Sequence, residues 1–508
     1  MKKLLASVVA AFALVACAAP EKVASVQIAD VAGIVSAATR LGEFTGNAAL
    51  GAMAAAQISQ NPLAQFFGPG REGDATTLVI FQDGPLPKAE EFHGMASNVF
   101  SLAIVYPMTR TKEQFLEDFP EASETNGVIS VNGTGMLGKG FVKLTADGKW
   151  AVASDKRELL PVALKEIATA AKPLGNRALR VRVNAKGMES LIQLIDMVGA
   201  EAVKSANGAN VADTQAAFDL IKKVYGQVTG AVFDIAVTEK GIDFGVGIKP
   251  RAGTDLDAVG RKSLPADALA FAGADAFVAV AAAENAGQGS TAKQTDALYA
   301  LLAKYGIDAK WISREKTAKG EKFTFDFDGA VAHFQGEGKA KFEQIEPEKF
   351  LKDFSEIGPK DIEVKGPAYS GSLALKGVTL PTTAAARFAK IMPEAAAKKP
   401  YLVEMVSFYA LVKTLAPKLV AFVPEDQRQV LKPMIDALPA ASEGGVAVAG
   451  WRTKDVVEGL FRISPDEVKG LSALVNAGMG FYMMHVMQAM DAASADMEGE
   501  DGSDDDED

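Results

Sequence analysis

The chain has 508 residues, 48 % hydrophobic and 23 % charged, and its 53 basic and 64 acidic side chains give a net charge of −11. That balance suits a folded protein of several domains with a large core, and no basic patch is present that would suit nucleic acid. Cys17 is the only cysteine, so the chain beyond it can form no disulfide, thiolate metal site or cysteine nucleophile.

Lys2 and Lys3 precede an apolar stretch from Leu4 to Val15. It is too short for a membrane-spanning helix, which takes about 20 residues, but it suits the core of a secretory signal. Small residues follow at Ala16, Cys17, Ala18 and Ala19. The run Leu14-Val15-Ala16-Cys17 resembles the lipobox of bacterial lipoproteins. The resemblance implies a signal peptide of residues 1–17, cut before Cys17, with Cys17 as the lipidation site. Ala18 stands where inner-membrane-retained members carry aspartate, which favours the outer membrane. The alternative is cleavage after Ala18, giving a soluble periplasmic or secreted protein.

Past the signal, Ser25-Val-Gln-Ile28 reads as a strand, and Asp30 is placed to cap a helix carrying Val31, Ile34, Val35, Ala38 and Leu41. Glu113-Gln-Phe115-Leu116-Glu-Asp118-Phe119 then opens a series: a hairpin from Phe141 to Ala153 turning at Asp147-Gly148, and a helix from about Lys156 to Ala171. An alternating strand from Leu179 to Val183 leads into a helix with Met188, Leu191, Ile192 and Ile195. A second hairpin from Val232 to Ile248 turns at Lys240-Gly241.

After a Gly- and Asp-rich linker from Pro250 to Gly260, Leu264 opens a second half whose first helix, Asp296 to Tyr305, is stopped by Gly306. The series then returns. Glu348-Lys-Phe350-Leu351-Lys-Asp353-Phe354 repeats the E-x-F-L-x-D-F pattern, and strands at Ser372–Leu375 and Val378–Leu380 flank Lys376-Gly377. A helix opens near Thr382, Tyr401–Met405 leads into a helix with Phe408, Leu411, Val412 and Leu415, and a hairpin spans Val446 to Ile463. These elements predict an α+β protein of two related halves, 18–262 and 263–466, each an antiparallel sheet with helices packed on one face. The layout, including the phrase Leu264-Pro-Ala-Asp-Ala-Leu-Ala-Phe271, is similar to that of large secreted proteins of unknown function from planctomycete- and verrucomicrobia-type bacteria. That resemblance implies no activity.

A C-terminal helix is expected over 467–491. Its uncharged part, Gly470 to Met490, is read as a packed helix, with a membrane span or a methionine-rich surface for a partner or lipid as alternatives. Nine acids crowd the last 13 positions, and without them the net charge is about −2. A disordered, solubilising tail over 492–508 follows, its other reading being loose divalent-cation binding.

Several apparent motifs carry no chemistry. Gly133-Thr-Gly135-Met-Leu-Gly138-Lys139-Gly140 lacks the hydroxyl residue of a phosphate loop and leads into a strand. His93, His333 and His485 lack metal-ligand spacing, and no serine-hydrolase elbow is present. Asp326 and Asp328 fit the wet face of a strand bearing Phe323, Phe325 and Phe327, and Arg180 and Arg182 read the same way. Catalytic, cofactor and metal residues are therefore none. The expected function is a lipid-anchored, non-enzymatic structural or interaction protein of the cell envelope, its partners being the membrane through the anchor and an envelope protein or apolar ligand. Alternatives are a carrier of an apolar ligand or lipid and a hydrolase with a dispersed site.

Overall fold

A computed structural model describes residues 20–60, 67–68, 70–86, 99–132, 139–205, 210–286, 291–307, 310–335, 344–355, 368–440 and 443–499. Strand β1 (Glu21–Ile28) alternates as expected and buries Val23, Ser25 and Gln27 on one face. Asp30 then caps helix α1 (Val31–Thr45), accepting from the Gly33 amide at 2.9 Å, and Gly46 closes it at φ 75°, a conformation open to glycine at no steric cost. Helix α2 (Leu50–Ser59), strands β2 (Thr76–Gln82) and β3 (Phe100–Pro107) and helix α3 (Lys112–Asp118) follow. A meander comes next: β4 (Ser123–Thr125), β5 (Val128–Asn132), β6 (Lys139–Leu144) and β7 (Trp150–Ser154). The first half closes with helical turns over 157–170, then β8 (Arg177–Val183), α4 (Ala185–Ser205), α5 (Asn210–Tyr225), β9 (Val228–Thr238) and β10 (Gly241–Pro250).

The second half contains β11 (Ala276–Ala282), α6 (Thr291–Lys304), β12 (Ile312–Thr317), β13 (Gly320–Phe325), α7 (Phe327–Gln335), α8 (Pro347–Ser355) and β14 (Tyr369–Leu375). Helix α9 (Ala384–Ile391) runs into a 3-10 segment, Pro393–Lys398, followed by β15 (Leu402–Val406), α10 (Phe408–Val420) and α11 (Glu425–Asp436). The hairpin β16 (Val446–Thr453) and β17 (Val456–Ile463) leads into α12 (Pro465–Gly499). The fold is α+β.

The seventeen strands make one sheet. Its first half runs β4-β5-β6-β7-β3-β2-β1-β8-β9-β10. Strand β10 pairs with β17, and the sheet continues β17-β16-β15-β11-β14-β13-β12. Among the described strands only the β13–β14 pair is parallel. Hairpins β9–β10 and β16–β17 correspond, with Gly241 in the place of Val456. On that alignment Gly245 and Leu460, which face each other across the β10–β17 seam, exchange places. A local two-fold axis therefore passes between them, with β1, β8, β9 and β10 answering to β11, β15, β16 and β17.

The structure departs from the sequence reading in several places. Helices cover both faces, since adjacent β7 residues Ala151 and Val152 point to opposite faces and are both fully buried. Val152 packs with Leu159, Leu160 and Ala163 of the 157–170 turns, whereas Ala151 packs with Phe67 and Phe115. The E-x-F-L-x-D-F helices are not equivalent. Phe115 of α3 is buried against the sheet and stacks on Phe67, but Phe350 of α8 meets Tyr305 beyond α6, and Phe354 is 50 % exposed. The two motif helices thus sit in different surroundings, and the correspondence that the register defines lies in the strands.

Val378–Leu380 forms no strand, because Gly377 turns the chain at φ 76° and Pro381 lacks the N–H a ladder needs. Asp326 and Asp328 share no strand face. β13 ends at Phe325, and Asp326 caps α7 through the Gly329 amide at 2.9 Å. Helix α12 continues through Gly499, so residues 492–499 are helical where a disordered tail was expected; Ala492, Ala493, Ala495 and Met497 are strong helix formers. Residues 500–508 lie outside the described residues. The start of α12 is packed, with Glu467 and Val468 buried, but Val475, Met479, Tyr482, Met483, Met487 and Met490 are exposed. Among the described residues no helix is long and apolar enough to cross a membrane.

Candidate functional site: a polar groove over the seam

On one face of the sheet the 157–170 turns cover the first half and α9 with Pro393–Lys398 covers the second. Cross-strand register places both covers on the same face: Val79, Ser25, Arg182, Val232, Gly247, Glu458, Trp451 and Ala449 follow one another through it. Between the covers a groove of about 920 Å³ lies over the central strands. Its floor includes Gly245 and Gly247 of β10, Ala236 of β9 and Leu460 of β17. Glycine and alanine on adjacent strands leave the space that larger side chains would fill.

The groove is charged. At one end Arg462 of β17 donates from Nε and Nη2 to Asp243 of β10 at 2.6 and 2.7 Å, and from Nη1 to the Ile391 carbonyl at 2.9 Å. Glu394 lies 2.7 Å from the same guanidinium and also takes Lys240 at 3.3 Å. Arg462 is 4 % exposed, so this network ties the two halves and the second cover together. Burial alone would lower the Arg462 pKa, but the bonds and charges of Asp243 and Glu394 outweigh it and hold the guanidinium protonated. Burial likewise pushes Glu394 up, and its backbone bond with the Arg462 and Lys240 charges brings it below the usual carboxylate range. At the second wall, Trp451 donates its indole N–H to Glu458 at 2.7 Å, and the Lys398 ammonium sits 5.6 Å from the Trp451 ring.

The opposite wall belongs to the first half. Arg180 donates from Nε and Nη2 to Asp234 at 2.6 and 2.8 Å, and Arg177 Nε donates to the same carboxylate at 2.9 Å. Arg182, one pleat further along β8, donates to the Gln27 amide oxygen. Burial pushes Asp234 up, but the arginines prevail and keep it ionised. The Asp234 hydrogen bond raises Arg180, whereas burial and then the Arg180 charge lower Arg182.

Of the residues singled out in sequence, the structure thus brings Arg180 and Arg182 into one cluster, as half-buried groups and not as a solvated face. Asp326 and Asp328 lie elsewhere, paired with Lys376 and Lys418 at 2.6 Å each. His333 packs beside Trp311, with ring centroids 5.0 Å apart, and His485 lies on α12. Cys17, His93 and positions 133–138 of the glycine-rich run fall outside the described residues. Among the described residues no cluster of His, Cys, Asp and Glu could hold a metal ion. Sequence reasoning missed Arg177, Asp234, Asp243 and Arg462. The available signal was an acid inside an apolar strand, as in Val232-Phe-Asp-Ile, since such a charge needs a partner. Compared with protein-family models, with curated proteins and with solved structures, the chain matches none.

Proposed function

We propose that the chain is an exported, lipid-anchored, non-enzymatic protein of the cell envelope, a structural or interaction module that presents the seam groove to a polar partner. The carrying observation is the state of the groove's ionisable groups. Asp234, Asp243 and Glu394 are each held by arginine or lysine, and Asp234 and Glu394 titrate below the usual range. A general base or nucleophile needs a free group poised near the working pH, and these carboxylates are instead engaged in ion pairs. A charged lining also suits a polar partner better than the apolar ligand of a carrier. The anchor rests on the lipobox at Cys17.

Two measurements test the reading in cells. Mass spectrometry of the mature N-terminus should find Cys17 acylated, and Cys17→Ser should abolish the modification. A photo-crosslinking amino acid at Val456, on the groove wall, should capture a discrete species that the same probe at Glu72 does not. An unlipidated mature chain would remove the anchor, and no Val456-specific capture would remove the groove as an interaction site.

A further inference from the structure

We propose that Arg177, Arg180 and Asp234 on the groove wall, with Arg182 next to Arg180 on the same face of β8 and braced by the buried Gln27, form a subsite for a doubly charged oxyanion of the phosphate-monoester type. The inference rests on reading the groove as a binding site and names the chemistry it takes.

Arg177 and Arg180 both bond the Asp234 carboxylate, while Arg182 beside them bonds only the neutral Gln27 amide, so three guanidinium groups stand near one acid with a local excess of two positive charges. Glu166, the other acid near Arg182, is engaged by Lys22 at 2.6 Å. Arg180 and Arg182 are half-buried side by side, where like charges repel, and a dianion would balance them.

Arg180 and Arg182 occupy alternate positions of β8 on the groove face, roughly 7 Å apart along the strand, within the common reach of two arginine side chains. Donors remain. Among the described residues, Arg180 Nη1, Arg182 Nε and Nη2, and Arg177 Nη2 meet no protein acceptor, the bonds of these residues going to Asp234, Gln27 and the Leu174 carbonyl. A planar fork with unused N–H groups matches phosphate oxygens two at a time.

The two-fold correspondence of the strands allows a comparison with the second half. Cross-strand register equates Gln27 with Ala281, Arg180 with Val403, Arg182 with Met405 and Asp234 with Ala449. In the second half these positions form an apolar core under α9. The same sheet can therefore be built with no charge at these sites, and the polar set in the first half is not a requirement of the fold.

The test uses the full chain carrying Cys17→Ala, so that no acyl anchor contributes to membrane binding. Calorimetric titration with inorganic phosphate and glycerol 3-phosphate asks for a soluble ligand. Sedimentation with phosphatidic acid vesicles, against phosphatidylcholine vesicles, asks for a lipid headgroup. Binding in either arm, weakened by salt, supports the site and identifies the source. Arg182→Gln should lower affinity at least about tenfold, the scale of one lost charge-assisted contact, with the fold retained and only a modest fall in melting temperature from the unpaired Gln27 oxygen. Arg182→Lys should fall between, and Asp234→Asn should tighten binding at low salt because it removes the competing carboxylate. No binding in either arm, or binding indifferent to Arg182 and Asp234, overturns the proposal. If Val456 still captures a partner that phosphate does not displace, the groove stands and only the anion subsite fails.

Discussion

Arg462 shows how much one side chain can hold. It reaches from the second half to Asp243 in the first and to Ile391 and Glu394 in the cover. Arg462→Leu would leave Asp243 buried without its charge partner, at a cost of about 3–5 kcal/mol, whereas adding Asp243→Leu should recover much of that loss. Urea denaturation of the single and double variants checks the pair. Glu467 offers a different test. Its carboxylate accepts the Tyr409 amide at 2.6 Å at the start of α10, yet burial pushes its pKa up and outweighs the lowering by the Tyr409 and Phe408 amides. A carboxyl raised in the folded state contributes stability that is full below its unfolded pKa and lost as pH rises through the folded value. Wild-type stability should therefore carry a decline across the weakly acidic range that Glu467→Gln removes, with no loss of stability at neutral pH. A larger pH dependence in the variant would contradict the assignment.

At the scale of elements, α12 meets α10 through Gly470, where an added Cβ would run into the ring of Tyr409, a residue 2 % exposed. Gly470→Ala should cost about 1–3 kcal/mol through overpacking. The same substitution at Gly478, which has open space around it, should be neutral or stabilising, and thermal melts of the two separate the effects. Elements with strong local signals were legible in the sequence. Asp30 announced the start of α1, Asp147-Gly148 the β6–β7 turn, and the alternation of Leu179 to Val183 announced β8. Sharing of a sheet was not legible, because strand order is set by contacts between distant residues. For the same reason Phe115 and Phe350 looked alike while one packs on a sheet and the other on a tyrosine. Arg180 and Arg182 could be placed on one strand face, but whether that face met water or a groove depended on covers far away in sequence. The uncharged run after Gly470 gave the helix but not its exposure, since apolar content does not say what is there to cover it.

For the whole molecule, the consequence is that the halves are two in symmetry but one in hydrogen bonding. Seven residue pairs, Ile242–Ile463 to Ile248–Val457, join β10 to β17, and the buried Asp243–Arg462 pair crosses the same seam. A cut between Val259 and Leu264 would separate the halves without touching any strand, yet it would strip β10 of its partner. That strand would present a full row of unpaired N–H and C=O groups beside the apolar side chains Ile242, Phe244, Val246 and Ile248, the combination that templates edge-to-edge association. The isolated segment 20–262 should therefore form dimers or larger aggregates through β10, while the two segments expressed together should recover a 1:1 complex. Intact, the chain should show coincident loss of signals from probes placed in either half, because the seam couples them. Size-exclusion chromatography with light scattering reads the first outcome, and urea unfolding followed at Trp150 and Trp451, each left as the sole tryptophan, reads the second. A monomeric, stable 20–262 segment, or transitions well separated between the two tryptophans, would mean that the seam is a contact between independent domains and that the groove above it opens and closes with them.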